Sequence, residues 1–332
     1  MHLTHRQIAS VATGFLNVEM HGSSMRLLRT TAAQRAVYPE DDVGLRRART
    51  TAGITLNLRT DSQTLTLGCS DILLLPHYHC TFDVFVDRHF YDSFSITADT
   101  VEDSSLPVAF RHTFQLPQGE KQVTLYFPLY RLLVDSVELD DGAMWTPCRA
   151  PLKWIAFGDS ITEGREPDHP GNSYVNRLAR MLDAEVYNQG ISGEMFRSRK
   201  IVPGTYPPCD FVTVAYGTND FRKQPADLLI PEMSAFLQQV TEEFPKTPIF
   251  CLLPLWRKDH EVVTQNRTLT QVREILRQEA EKYPQIHIID CWDFIPHDES
   301  LFYDYRLHPN DAGFAHYAEA LYQEIFQFLR HT

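Results

Sequence analysis

A chain of 332 residues exceeds the length at which one hydrophobic core usually keeps growing, so two domains are expected rather than one. With 43% apolar and 22% charged residues it has the composition of a globular protein. Its formal net charge of −12, with no Lys/Arg stripe to offset it, argues against nucleic acid as a partner and, more weakly, against anionic membrane surfaces.

The N-terminus, MHLTHRQIASVATGFLNVEM, has neither the apolar stretch nor the small-residue cleavage site of a secretory signal, and a cytoplasmic location is the expectation. No apolar run approaches the ~20 residues that span a bilayer, so no membrane partner is expected. From about residue 14 to 140 the chain consists of short alternating or β-branched runs separated by turn-formers. GITLNLRTDSQTLTLGC (53–69), CTFDVFVDRHF (80–90) and KQVTLYFPLYRLLVDSVELDDG (121–142) read as half-buried antiparallel strands, and LPQGEK (116–121) reads as a hairpin turn. An all-β sandwich, jelly-roll-like, is the natural way to bury such faces.

Through AMWTPCRAPL (143–152) the pattern changes, which places a boundary between a domain at 1–148 and another at 149–332. WIAFGDS, AEVYNQG, DFVTVAYG, PIFCLLPLW and IHIIDCW read as buried strands. They alternate with helical segments, among them SYVNRLARMLD, PEMSAFLQQVTEEF, NRTLTQVREILRQEAEKY and AGFAHYAEALYQEIFQFLR. Such alternation implies a parallel sheet covered on both faces, an α/β fold, whose functional groups gather at the carboxyl ends of the strands. The six cysteines are dispersed, without a CxxC or Cys/His spacing, so reduced core thiols and no metal are expected.

Four segments follow predicted strands of the second domain: GDSITEG (158–164), NQGISG (188–193), GTND (217–220) and DYRLHPND (304–311). Ser160 ends the first strand where a hydroxyl is exposed beside free backbone N–H groups. A serine hydroxyl needs a base within hydrogen-bonding reach, and His308, in a loop before the last helix, is the well-placed candidate. A tetrahedral intermediate needs donors aimed at its oxygen. Gly190 offers a closely approaching N–H and Asn219 a side-chain amide. Taken singly, these residues read equally well as a helix cap, a surface histidine, a turn glycine and an Asn turn. Their conjunction in order at matching strand ends is the specific signal.

On these four segments the second domain resembles the GDSL or SGNH hydrolase superfamily, with Ser160, Gly190, Asn219 and His308 as its marker residues. The resemblance implies a flavodoxin-like three-layer α/β/α fold and hydrolysis of esters of lipids, carbohydrates or small alcohols. It also implies Ser160 as nucleophile and, through its N–H, a third oxyanion donor, with His308 as base and then acid, and no metal or other cofactor. The family pattern puts an aspartate three residues before the histidine, a position held here by Tyr305, while Asp304 lies four before. Either the loop carries one extra residue and Asp304 still reaches His308, the favoured reading, or a backbone carbonyl orients the ring.

A β-sandwich ahead of such a domain resembles certain carbohydrate esterases that remove acetyl groups, and also a small group of acyltransferases. A small-molecule or carbohydrate ester is therefore the expected partner, cleaved at a short acyl group through an acyl-enzyme on Ser160. Trp256 and Arg257, after PIFCLLPLW, are candidate substrate contacts, against a surface salt bridge for the arginine. Tyr78, Phe90 and Tyr91 are candidates to stack on a sugar, against a core or interface role. Acyl transfer by the same residues and a carbohydrate-binding protein with a decayed site are the alternative functions; a metal-dependent phosphoesterase lacks suitable ligand spacing. The sequence leaves open the acyl length, the alcohol and the oligomeric state, a homo-oligomer included.

Overall fold

The computed structural model describes residues 1–75, 79–165 and 167–330. The period-2 runs of the N-terminal region form two antiparallel sheets. One joins Ala12–Thr13, Thr55–Thr60, Lys121–Tyr126, Cys80–Val86 and His89–Ile96 in that order, with Trp145–Pro147 also on Thr55–Thr60. The other runs Asn17–His21, Ser24–Leu28, Leu133–Leu139, Thr64–Ile72 and Val108–Gln115. Leu56, Leu58, Val84 and Leu125 of the first sheet meet Leu27, Leu65, Leu67 and Val137 of the second in one hydrophobic core. The chain alternates because each strand turns one face to that core.

Three local features depart from the expected strand pattern. CTFDVFVDRHF is not one strand but a hairpin, turned at Asp87 and Arg88, whose positive φ of 48° and 70° make the type I′ geometry that fits strand twist. LPQGEK is not a hairpin. Val108–Gln115 pairs with Thr64–Ile72, whereas Lys121–Tyr126 pairs in the opposite sheet, so the turn carries the chain across the core with Leu116 buried beneath it. Short helices also interrupt the β region at His5–Val11, Ala32–Arg35 and Val43–Ala48; the first two open with Thr–x–x–Gln capping boxes.

The C-terminal region is α/β. Its five strands lie parallel in the order Ala184–Asn188, Leu152–Gly158, Phe211–Ala215, Ile249–Leu253, Ile286–Asp290, which is 2-1-3-4-5. Tyr174–Leu182 and Asp311–Leu329 cover one face; Leu229–Glu243 and Leu269–Ala280 cover the other. In this order the strand direction of travel reverses around Leu152–Gly158, and a crevice opens at the carboxyl ends beside it. No helix among the described residues is long and apolar enough to cross a membrane.

The two regions are in close contact. Cys80–Val86 is buried along its whole length because its outer face meets the α/β region: Asp83 accepts from His169 Nδ1 (2.8 Å) and from the Gly171 N–H (2.9 Å). The Arg180 guanidinium sits 4.3 Å over the Phe85 ring.

Candidate active site

Leu152–Gly158 delivers its last residues straight into a helical turn, Ser160–Glu163. A Cβ at Gly158 would lie 2.0 Å from Thr162 Oγ1, so a glycine is what lets the strand fold back on this turn. Asp159 caps the turn by accepting the Ile161 N–H at 3.0 Å. Burial pushes the Asp159 carboxyl up to about 6, against that hydrogen bond and the nearby His308, Arg257 and Lys223 charges. Ser160 is only 5% exposed, yet its Oγ lies 2.9 Å from His308 Nε2.

His308 sits in the loop before Asp311–Leu329. Tyr305, with φ of 52°, occupies the left-handed region there. That residue tightens the DYRLH segment so that Asp304 Oδ1 accepts the backbone N–H groups of Arg306, Leu307 and His308 at 3.1, 2.7 and 3.0 Å, while its Oδ2 meets His308 Nδ1 at 3.0 Å. Burial raises the Asp304 carboxyl, but hydrogen bonds from the His308 ring and from the Leu307 and His308 N–H groups outweigh it and hold it far below the usual carboxylate range. An ionised carboxylate only accepts, so Nδ1 carries the ring proton and Nε2 keeps a lone pair for the serine hydroxyl. The extra residue in the loop is thus absorbed by Tyr305, and a side-chain carboxylate, not a main-chain carbonyl, meets the far nitrogen of His308.

Ser160, His308 and Asp304 line an open cavity of about 550 Å³ together with Asn219, Ser192 and Gly193. Asn219 stands on the helix Thr218–Lys223; its amide donates one hydrogen to the Glu194 carbonyl at 3.0 Å, leaving the second for the cavity. Gly190 is not in the lining. Its N–H is spent on Asn188 Oδ1 at 2.8 Å, and a Cβ there would lie 2.4 Å from the Glu163 nitrogen, so it packs the loop against the serine's turn instead of offering a donor. The glycine facing the cavity is Gly193, three residues on, with φ of 81°. NQGISG contains both glycines, and nothing in its spacing separates a packing glycine from a facing one.

The proposed substrate contacts are also revised. Trp256 is outside the cavity lining: it stacks on His297 (centroids 4.9 Å, 12°) and packs on Phe302. Arg257 does line the cavity, but as a buried residue rather than an exposed one. Its Nε and Nη2 bind Asp259 at 2.5 and 3.1 Å, and its Nη1 binds the Thr218 carbonyl and hydroxyl at 3.2 and 3.0 Å, so it braces the helix that carries Asn219. Phe90 and Tyr91 are exposed and are not in the lining of this cavity, and Tyr78 lies outside the described residues.

Beneath the cavity lies a group the sequence reading missed. Arg29, from the N-terminal region, is fully buried and donates to Glu163 Oε1 (2.8 Å) and to the carbonyls of Asn188 (3.0 Å) and Gly190 (2.6 Å). The other Glu163 oxygen accepts the Ser192 N–H at 2.8 Å and the Ser192 hydroxyl. Asn188–Gly193 is therefore clamped between the serine's own turn and the N-terminal region. No local signal marks Arg29, since Glu163, Asn188 and Gly190 are more than 130 residues away from it. Among the described residues, no group of three His, Cys, Asp or Glu is arranged to hold a metal ion.

Residues 156–316 match the model of the GDSL-like Lipase/Acylhydrolase family. No curated protein matches the chain. Among solved structures, its fold is similar to that of a salicylyl-acyltransferase, SsfX3, from a tetracycline biosynthetic pathway, at TM-score 0.82 and 21% identity over 99% of this chain and 97% of that one. It is also similar to a family two carbohydrate esterase from Clostridium thermocellum, solved with cellohexaose, at TM-score 0.63 and 18% identity, covering 84% and 94%. An acetyl xylan esterase, Est2A, from the rumen bacterium Butyrivibrio proteoclasticus aligns at TM-score 0.63 and 12% identity over 99% of both chains. Residues 156–316, with Ser160 at the end of the first strand and His308 before the last helix, thus form a GDSL-like lipase/acylhydrolase domain.

Proposed function

We propose that the chain is a serine esterase that removes a short acyl group, acetyl being the reference case, from a carbohydrate or related polyol. In this reading residues 149–332 form a three-layer catalytic domain and residues 1–148 a β-sandwich domain that completes its support. The observation that carries it is the chain of contacts from Asp304 through His308 to Ser160, at 3.0 and 2.9 Å.

Ser160 Oγ attacks the ester carbonyl as its proton passes to His308 Nε2, and the imidazolium that forms is held by Asp304. The carbonyl oxygen, now carrying the charge, takes hydrogen bonds from the N–H groups of Ser160 and Gly193 and from the Asn219 amide. Ser160 N–H is the first of a helical turn and has no acceptor within it. Collapse breaks the bond to the alcohol, which leaves with the proton from His308. Water, deprotonated by the same ring, then attacks the acyl-serine and releases the carboxylic acid. Every group in this sequence belongs to the chain, and the reading calls for no cofactor. The open mouth of the cavity suits water as the acceptor, and the similarity in fold to carbohydrate esterases supports a sugar as the alcohol.

The test is hydrolysis of 4-nitrophenyl acetate by wild type and by Ser160→Ala. Turnover should fall on the order of 10⁶-fold in the variant with the circular dichroism spectrum unchanged. A variant that keeps the wild-type rate would remove Ser160 as the nucleophile.

A further inference from the structure

The charge around Ser160 is opposite to that of the molecule. The chain carries a net −12, yet the cavity wall holds Arg47, Arg165, Arg222, Lys223, Arg257 and Arg306. Asp304 is the single carboxylate in the described lining, and it is committed to His308. Behind the wall, Asp259 alone serves three guanidiniums: Arg257 at 2.5 Å, Arg222 at 2.6 Å and Arg306 at 4.0 Å. No carboxylate among the described residues lies within 4.0 Å of the Lys223 ammonium. Arg222, Lys223, Arg257 and Arg306 thus set four cations against one carboxylate, Asp259.

Its placement is specific. A Cβ built on Gly193 would lie 3.1 Å from Arg47 Nη1 and 3.4 Å from Lys223 Nζ, so two cations from different regions of the chain flank a glycine that shares the cavity lining with Ser160. Arg47 is fixed there by its bond to the Ser192 carbonyl. Like charges this close repel one another, and a bound anion offsets the repulsion; guanidinium forks in particular match carboxylate and phosphate oxygens. The developing oxyanion is common to all esters and is already served by neutral donors, so it does not account for a wall of cations.

We propose that the ester this cavity takes is anionic, carrying a carboxylate or phosphate on its alcohol portion within reach of Lys223 and Arg47. This rests on reading the cavity as an esterase site and narrows its substrate from polyol esters in general to those of acids or phosphates.

The experiment separates the two readings. Binding is measured by calorimetry on the Ser160→Ala protein, which cannot turn over, for 4-acetoxybenzoate, 4-acetoxyphenyl phosphate and the neutral 4-acetoxybenzamide. At low salt at least one anionic ester should bind about tenfold or more tightly than the amide, and the preference should shrink as NaCl shortens the Debye length from ~30 Å toward ~3 Å. The better of the two anions identifies the group. Lys223→Gln in the same background should narrow the preference by roughly threefold or more. Equal affinity of all three esters at low salt would overturn the proposal. Hydrolysis by the wild-type protein is then read separately: anion-selective binding without hydrolysis would leave this inference standing and sink the esterase reading.

Discussion

Asp304 lies four residues before His308, and its Oδ2 stands 3.0 Å from His308 Nδ1 because Tyr305 between them takes a φ of 52°. An interval of four serves where three is the family's habit, since one left-handed residue consumes the extra length. The same turn points three backbone N–H groups at the other carboxylate oxygen, which fixes the carboxylate before it fixes the ring.

Asp304→Asn keeps the acceptor for those N–H groups but can present an amide N–H to Nδ1, forcing the proton to Nε2. The ring then loses the lone pair that receives the serine proton, and kcat should fall on the order of 10³- to 10⁴-fold at little cost in stability. Steady-state kinetics at neutral pH reads this; a loss under tenfold would mean that Asp304 does not set the tautomer.

The two glycines of NQGISG should part company. Gly190→Ala places a Cβ 2.4 Å from the Glu163 nitrogen and 2.8 Å from the Thr162 carbonyl carbon, backbone that cannot yield, so the variant should lose more than about 3 kcal/mol or fail to fold. Gly193→Ala meets only the side-chain ends of Arg47 and Lys223, at 3.1 and 3.4 Å, and costs about 1–2 kcal/mol for its positive φ, so it should fold and lose turnover by ten- to a hundredfold. Denaturant titration beside kinetics separates them. A stable, inactive Gly190→Ala would restore Gly190 as the oxyanion donor.

Legibility in the sequence followed locality. Strands of the parallel sheet were readable as continuous apolar runs because both their faces are covered, Ser160 because it ends such a run, and His308 because it sits in the loop before the C-terminal helix. What escaped was set by tertiary approach. Whether LPQGEK closes a hairpin or crosses the core depends on strands far away in the chain. Gly190 and Gly193 differ only in what they face. Trp256 follows a strand end, yet its ring turns toward His297 and away from the cavity. Arg29 and the cations of the cavity wall come from both regions and carry no shared motif. The helices that Thr4–Gln7 and Thr31–Gln34 open are too short to show a period, and the strand pattern around them hides them.

The Arg29–Glu163 pair should behave as a buried ion pair. Arg29→Met leaves the Glu163 carboxylate uncompensated and should cost about 3–5 kcal/mol by urea denaturation; adding Glu163→Met should recover a large part of it. Turnover should remain low in the double variant, since the bond that holds Ser192 is gone. A loss below 1 kcal/mol in the single variant would contradict the pairing.

Stability should fall as pH rises from about 4 to 7. Burial raises the Asp159 carboxyl to about 6 and the Asp220 carboxyl to about 7, while unfolded aspartates ionise near ~3.9. In that window the native state keeps protons that the unfolded state has released, so each pH unit favours unfolding. Asp304 acts in the opposite sense: its depressed carboxyl contributes stability above the unfolded value that is lost below about pH 4. Asp159→Asn retains the acceptor for Ile161 and should flatten the decline in stability between about pH 4 and 6, a change on the order of 1–3 kcal/mol. An unaltered slope would mean that Asp159 is ionised in the native protein throughout.

The central claim is that Ser160 is an activated nucleophile, and covalent labelling tests it without a substrate. Treated with a fluorophosphonate, the wild-type protein should gain the mass of one phosphonyl group, mapped by peptide sequencing to Ser160, and His308→Ala should label at least about a hundredfold more slowly. Labelling of another residue, or equal rates in the two proteins, would contradict the account.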